Sequence, residues 1–267
     1  VNSNKEIISW IDASMGLMQQ EEQEMYLGLL KKALSGALGK NLVDITFSTA
    51  QVADSDEHRL LQTMRQTELK DPASREDFCR RLSRLPNLCP QFHLSMQSGC
   101  DTVLQRMRRK YDTARYYESV CLLRTWFPSC AVTTDMIVAF PGETEGEFAQ
   151  SLAFIRKCGF AEMHIFPYSR RPGTPADKMP GQHGNAVKEE RSRAAIAVAE
   201  EMSHAYREAL VGTIQSVLFE DVEDGLFTGH APNYVKVYVP GEGLHNQVRR
   251  VRITGLCKDG LTGSLEP

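Results

Sequence analysis

The stretch QFHLSMQSGCDTVLQRMRRK, residues 91 to 110, decides how the rest of the chain reads. A short apolar run, a small polar loop containing Gly99, and apolar residues returning at helical spacing make one strand–loop–helix unit. The pattern recurs. AVTTDMIVAF (131–140) leads through PGETE into GEFAQSLAFIRKCG (146–159), and AEMHIFPYS (161–169) leads into RRPGTPADKMPG (170–181). Strand and helix alternating in this way argue for parallel strands with helices packed outside, as an open sheet or a barrel. In either arrangement chemistry gathers at the carboxyl ends of the strands, where these three loops lie.

Upstream, KEIISWIDASMGLM (5–18), EEQEMYLGLLKKALSGALG (21–39) and DSDEHRLLQTMRQTEL (54–69) read as helices, and ASREDFCRRLSRL (73–85) resumes helical spacing before Pro86 and Pro90. Downstream, residues 185–212 read as one long helix stopped near Gly212. Its charges Lys188, Glu189, Glu190, Arg191 and Arg193 read as a solvated face. After Gly212 come short β-rich runs punctuated by Asp-Gly and Gly, the signature of a small antiparallel barrel of about sixty residues. The expected organisation is an α/β protein with a helical lead (1–75), a partial parallel (β/α) barrel with its long connecting helix (76–211) and a C-terminal antiparallel β-barrel (212–267).

The 267 residues are 42% hydrophobic, enough for a sizeable core, and the formal charge of -3 hides an asymmetry. Residues 1–78 carry 8 Lys/Arg against 13 Asp/Glu, so the basic groups lie downstream of an acidic lead. They cluster at Arg106, Arg108, Arg109 and Lys110, at Arg170 and Arg171, and at Arg249, Arg250 and Arg252, which suits anion or nucleic-acid contact. No run of eighteen apolar residues and no secretory leader is present, so a soluble, cytoplasmic protein without a membrane partner is expected. The seven cysteines are odd in number and widely spaced, which excludes a disulfide framework, a zinc knuckle and a compact iron–sulfur run. No metal ligands are assigned, and no feature of the sequence specifies an oligomeric state.

In the loops, Gln97 and Ser98 offer hydrogen-bonding groups, and Gly99 lets backbone approach a ligand closely. Pro141, Gly142, Glu143 and Thr144 repeat the arrangement, with Thr144 placed to cap a helix and Glu143 able to accept from a hydroxyl or amino group. Three polar loops on one rim suggest a cofactor pocket. In the C-terminal barrel, Lys236, Arg249, Arg250 and Arg252 are set to meet phosphates, with Tyr234 or Tyr238 to stack on a base. His93 and His164, each within a strand pattern, read as satisfied rim or core residues.

The stretches LCPQFHLSMQSGCDTVLQRMRRKYDTARYYESV (88–120), TTDMIVAFPGETEGEF (133–148) and HIFPYSRRPGTPADKMP (164–180) resemble the radical-SAM tRNA methylthiotransferases over about residues 76–267. His164, Phe166, Pro167, Tyr168, Ser169 and NYVKVY (233–238) favour the branch acting on threonylcarbamoyladenosine next to the anticodon. The resemblance implies a partial radical-SAM barrel followed by an RNA-binding TRAM domain of OB-like shape, with the tRNA anticodon stem-loop as partner. It implies S-adenosylmethionine and four-iron four-sulfur clusters as cofactors. Gln97, Ser98 and Gly99 would lie beside S-adenosylmethionine, Ala139, Gly142 and Glu143 would support its adenine, and Arg109 or Tyr111 would reach its polar end. Tyr168, Arg170 and Thr174 would line the rim where the target nucleoside enters, and no residue is assigned to the catalytic step itself.

The sequence departs from that pattern in its lead, where residues 1–75 read as helical and acidic rather than as the family's first barrel strands, and at two further points. It contains no Cys-x-x-x-Cys-x-x-Cys, the family's cluster motif, and Ala139 stands where the family usually has Gly. Two explanations stand, a truncated or rearranged gene product with a foreign lead or a divergent member whose lead took over a binding role, and catalysis by this chain unaided is not expected. Three functions therefore stand: a methylthiotransferase, a non-catalytic RNA-binding protein derived from that family, and a barrel enzyme using another nucleotide cofactor.

Overall fold

The computed structural model describes residues 72–266; the expected helices before residue 72 lie outside the described residues. By contacts the chain divides into two units, Val1–Phe78 and Cys79–Pro267. Helix α1 spans Pro72–Leu82. Strand β1 (Gln91–His93) leads through the QSGC loop to α2 (Asp101–Arg106) and α3 (Thr113–Trp126). Strand β2 (Ala131–Val138) leads to α4 (Glu145–Cys158), and β3 (Glu162–Pro167) to a single 3₁₀ turn at Pro175–Lys178. The long helix α5 (Asn185–Glu208) connects to a second sheet of β4 (Ile214–Glu223), β5 (Leu226–His230), β6 (Lys236–Val239), β7 (Val248–Cys257) and β8 (Gly260–Leu265).

β1, β2 and β3 form an open, all-parallel sheet in that order, with Phe92 opposite Val132 and Asp135 opposite His164. Strand alternation sends Val132, Thr134, Met136 and Val138 of β2 into the buried layer, whereas Asp135 and Ile137 on the other face are half-buried. On that second face His93 Nδ1 lies 3.1 Å from Thr133 Oγ1 and its Nε2 3.3 Å from Asp135. Helix α4 starts in a capping box: Thr144 accepts from the Glu147 N–H at 3.2 Å and Glu147 accepts from the Thr144 N–H at 2.8 Å. Gly159, with φ +62°, ends it in the left-handed conformation that an L side chain disfavours.

The second sheet closes into a barrel in the order β4-β5-β6-β8-β7 around Val217, Phe219, Val237, Val239, Val251, Ile253 and Leu261. The expectation of an antiparallel barrel is corrected at one joint, because β6 and β8 pair in parallel. Strand directions cannot alternate all the way round a ring of five, so one like-directed pair is unavoidable. The Asp224-Gly225 turn between β4 and β5 has positive φ at both residues, the conformation that the right-handed strand twist favours in a two-residue hairpin loop.

The buried side of α5 comprises Arg191, Ala195, Val198, Ala199 and Met202. The expectation that Arg191 belongs to a solvated face is therefore corrected. Its position is four residues before Ala195, so it opens the buried stripe rather than the wet one.

Candidate functional site

Two clefts lie at opposite ends of the parallel sheet. At the carboxyl end, a cavity of about 330 Å³ is lined by Arg106, Met107, Arg108, Arg109, Ile137, Phe140, Tyr168, Thr174, Pro175, Ala176 and Met179. It brings together Arg109, Tyr168 and Thr174, three of the residues singled out from sequence. Phe140 and Tyr168 pack edge to face, with ring centroids 5.3 Å apart. The Tyr168 hydroxyl is buried without a hydrogen-bond partner, a cost that a ligand or water would remove.

The three arginines of this cavity differ. Arg106 is committed to Glu147 through two parallel hydrogen bonds, Nη1 to Oε1 at 2.8 Å and Nη2 to Oε2 at 2.7 Å. That fork, foremost, holds the Glu147 carboxyl far below the usual carboxylate range. Arg108 and Arg109 are exposed and have no carboxylate partner among the described residues. They supply the positive charge that the cavity can offer to an anion.

The QSGC loop is held by its own backbone and by α4. Gln97, at φ +66°, extends the sheet: its N–H donates to the Asp135 carbonyl, and its carbonyl accepts from the Ile137 N–H, both at 2.9 Å. Ser98 is fully buried, with Oγ 3.3 Å from the hydroxyl of Ser151 and accepting from the Cys100 N–H. A Cβ on Gly99 would come within 2.9 Å of the Ser151 backbone, so the close neighbour at Gly99 is helix α4. Tyr111 turns back to this loop, donating to the carbonyls of Ser95 at 2.8 Å and Met96 at 3.1 Å.

The FPGE loop is built around Glu143. The residue is 1% exposed, and its carboxylate accepts from the Ala139 N–H at 2.7 Å and from Arg191 at 2.8 Å. Burial pushes its pKa up, and the Ala139 N–H and the Arg191 guanidinium pull against that shift. Glu143 therefore faces the protein interior, and the hydroxyl or amino group it was expected to meet is replaced by an arginine. Gly142 donates its N–H to the Gly181 carbonyl at 2.9 Å, and a Cβ on Gly181 would meet Gly142 Cα at the same distance. Arg170 is tied to Asp177 by its Nε at 2.9 Å, and the Thr174 hydroxyl donates to the Arg171 carbonyl at 2.8 Å.

At the amino end of the sheet, a cleft of about 440 Å³ lies between the strand starts, the last turns of α5 and the β5–β6 connection. Tyr234 and Lys236 meet there with Gln91, Glu162, Arg207 and His230. Tyr234 is 65% exposed. Tyr238, the alternative stacking residue, is buried with its hydroxyl on Asp259, so that role is closed to it. Lys236 is bound to Glu223 at 2.6 Å, which holds its ammonium above the ordinary lysine range.

Arg249, Arg250 and Arg252 do not form one patch. Alternation along β7 puts Arg249 on the same side as Val251 and Ile253, half-buried and 3.5 Å from the Gln247 side chain. Arg250 and Arg252 point outward, where Arg252 pairs with Glu266 at 2.6 Å. Arg250 is exposed, with no carboxylate partner among the described residues.

Among the described residues, seven other than glycine have positive φ. Asp224, Asn246 and Lys258 occupy barrel turns, whereas Gln97, Arg108, Ala139 and Tyr234 lie in the loops and clefts just described. Strained backbone held in place by its surroundings marks functional sites more often than chance.

Threonylcarbamoyladenosine tRNA methylthiotransferase MtaB of Thermotoga maritima is 37% identical over 187 residues, 70% of this chain and 43% of that protein. The Bacillus subtilis protein of the same name is 32% identical over 225 residues, 82% of this chain and 50% of that protein. A tRNA-2-methylthio-N(6)-dimethylallyladenosine synthase of Acidothermus cellulolyticus is 40% identical over 164 residues, 59% of this chain and 33% of that protein. Residues 1–118 also match a family model described as a domain of unknown function, DUF4317. Among solved structures, coproporphyrinogen III oxidase (HemN) of Escherichia coli, titled a radical SAM enzyme, aligns with 45% of this chain and 28% of its own, at 18% identity and a TM-score of 0.38. A likeness that weak carries no weight for fold or function.

The chain belongs to the radical-SAM tRNA methylthiotransferase family. Within it the chain falls on the branch of the proteins named MtaB. It spans about half the length of those relatives, 43% and 50%.

Proposed function

We propose that this chain serves methylthiolation of N6-threonylcarbamoyladenosine next to the anticodon of tRNA, binding S-adenosylmethionine at the carboxyl-end cavity and RNA through its C-terminal barrel. On this reading the three-stranded sheet is part of a radical-SAM (β/α) barrel, residues 212–267 are a TRAM domain, and the compartment is the cytoplasm. The observation that carries it is the meeting of Arg109, Tyr168 and Thr174 in one cavity at the carboxyl end of the strands.

That cavity fits S-adenosylmethionine in kind. Its volume is at the small end of ligand sites, and Met107, Ile137, Phe140 and Met179 offer apolar surface to a heterocycle or methionine chain. Arg108 and Arg109 suit a carboxylate, and the unpartnered Tyr168 hydroxyl suits a polar atom of the ligand. S-adenosylmethionine supplies a methyl group on an activated sulfonium. The chain's own part is to bind and orient: Arg109 fixes the anionic end, Phe140 and Tyr168 form the wall, and Thr174 with Arg170 borders the entrance.

The iron–sulfur cluster does not fit. All seven cysteines lie among the described residues, and no three His, Cys, Asp or Glu side chains there gather closely enough to hold a metal ion. A thiolate-held cluster would need cysteines from outside this sequence. This scatter favours a second reading, an RNA-binding protein without catalysis.

Equilibrium dialysis of the folded chain against labelled S-adenosylmethionine decides between them. Binding that Arg109→Ala weakens at least about ten-fold supports the first reading. RNA binding without S-adenosylmethionine binding supports the second.

A further inference from the structure

We propose that the cleft at the amino end of the sheet holds an unpaired nucleobase of the bound RNA, stacked on Tyr234. The inference rests on the RNA-binding reading above and adds a second contact, at the far end of the sheet from the cofactor cavity.

The first support is the state of Tyr234. Its ring is 65% exposed on a residue at φ +62°, a conformation costly for any L side chain but Asn or Asp. The turn is nevertheless tied down by hydrogen bonds. The Tyr234 N–H donates to the Ala231 carbonyl at 2.8 Å. The neighbouring Asn233, 4% exposed, donates to the Tyr206 hydroxyl at 3.0 Å, which in turn donates to the Ser129 carbonyl at 2.9 Å. Burial pushes the Tyr206 phenol up to about 12, so this chain of bonds persists across the working pH range. A strained, well-anchored turn thus holds a large aromatic ring in solvent, with the tilted His230 ring, centroid 6.4 Å away, beside it. Core packing does not account for that arrangement; a flat π surface awaiting a partner does.

The second support is what surrounds the ring. Among the described residues Arg207 donates only to backbone carbonyls, of Ser203 at 3.3 Å and Lys258 at 3.4 Å, and so has donors to spare. Glu162 is exposed and has no ion-pair partner among the described residues. Gln91 adds an amide that can donate or accept. A base edge presents both donors and acceptors beside a flat face, and this lining answers both. A lipid surface or an apolar helix would need continuous apolar wall, which the cleft lacks.

Geometry then limits the ligand. β2 runs eight residues from one cleft to the other, about 26 Å at the usual strand rise. A single nucleoside can occupy one cleft only. An RNA stem-loop is long enough to engage both.

The test is fluorescence anisotropy of the full chain with two labelled RNAs, a hairpin with an unpaired loop and a blunt duplex of the same stem. Tyr234→Ala is expected to weaken hairpin binding roughly 5- to 100-fold, the range for one lost base stack, with Tyr234→Phe unchanged and duplex binding unaffected by either. Tyr234→Ala binding the hairpin as tightly as the parent, or losing equally on the duplex, overturns the subsite. Arg250→Ala, which removes an outward cation of the barrel wall, is expected to weaken both RNAs alike. If the parent chain binds neither RNA, the RNA-binding reading fails along with the subsite.

Discussion

Arg191 Nη1 lies 2.8 Å from Glu143 Oε2, and the two side chains are 6% and 0% exposed. The same nitrogen donates to the Glu143 carbonyl at 2.9 Å, so one guanidinium on α5 fastens both the side chain and the backbone of the FPGE loop.

Arg191→Met leaves that carboxylate buried and unpaired. A loss of about 3–5 kcal/mol is expected in urea unfolding at pH 7. Without its cation Glu143 holds a proton more tightly when folded than when unfolded. Stability from such a raised pKa is fully present below the unfolded value, about 4.3, and is lost as pH rises, so the deficit of the variant grows from pH 4 upward. A deficit independent of pH would mean that lost packing, not the stranded charge, is the cause.

Glu147 titrates in the opposite sense. Arg106, Thr102 and the Thr144 N–H all favour its ionised form, so its stabilising effect is present above the unfolded glutamate range and fades as pH falls below it. Glu147→Gln is expected to cost about 1–3 kcal/mol at pH 7 and progressively less below pH 4, read from urea midpoints across that range.

Tyr168→Phe separates ligand binding from folding. Removing a buried hydroxyl that has no partner is expected to leave thermal stability unchanged or raise it by about 1 kcal/mol. The same variant is expected to bind S-adenosylmethionine about five- to ten-fold more weakly, measured by dialysis.

Ala139 sits at φ +57° with its side chain fully buried. Ala139→Gly removes the clash of Cβ with the carbonyl that follows, and a gain of about 1 kcal/mol is expected in thermal unfolding. Gly99→Ala is expected to lose about 1–3 kcal/mol, since the new Cβ would overlap the Ser151 backbone.

Much of this was legible in the residues themselves. Strand–loop–helix repetition located β1, β2 and β3, Thr144 announced the start of α4, and the Asp-Gly punctuation of the β-rich runs fell at a turn, Asp224-Gly225, between β4 and β5. Arg109, Tyr168 and Thr174, far apart in the chain, proved to line one cavity. What stayed hidden depends on direction rather than residue type. Whether Glu143 faced solvent or Arg191 required knowing how α5 crosses the FPGE loop. Arg191 had left one trace, its place four residues before Ala195 at the head of an apolar stripe. Arg249, Arg250 and Arg252 looked like one cluster because spacing in sequence ignores the alternation that splits them between two sides of β7.

The parallel joint of the barrel has a dynamic consequence. Only two residue pairs, Val237 with Leu261 and Tyr238 with Thr262, bridge β6 and β8, whereas β4 and β7 share five. Gly260 permits the backbones to close there, because a Cβ would strike the Lys236 carbonyl. The seam is therefore where the barrel should breathe first, with amides of 236–239 and 260–262 exchanging with deuterium ahead of those in β4 and β7. Lys236 belongs both to that seam and to the Tyr234 cleft. An occupied cleft would latch the barrel shut, and slowed exchange at these few amides would report occupancy from a distance.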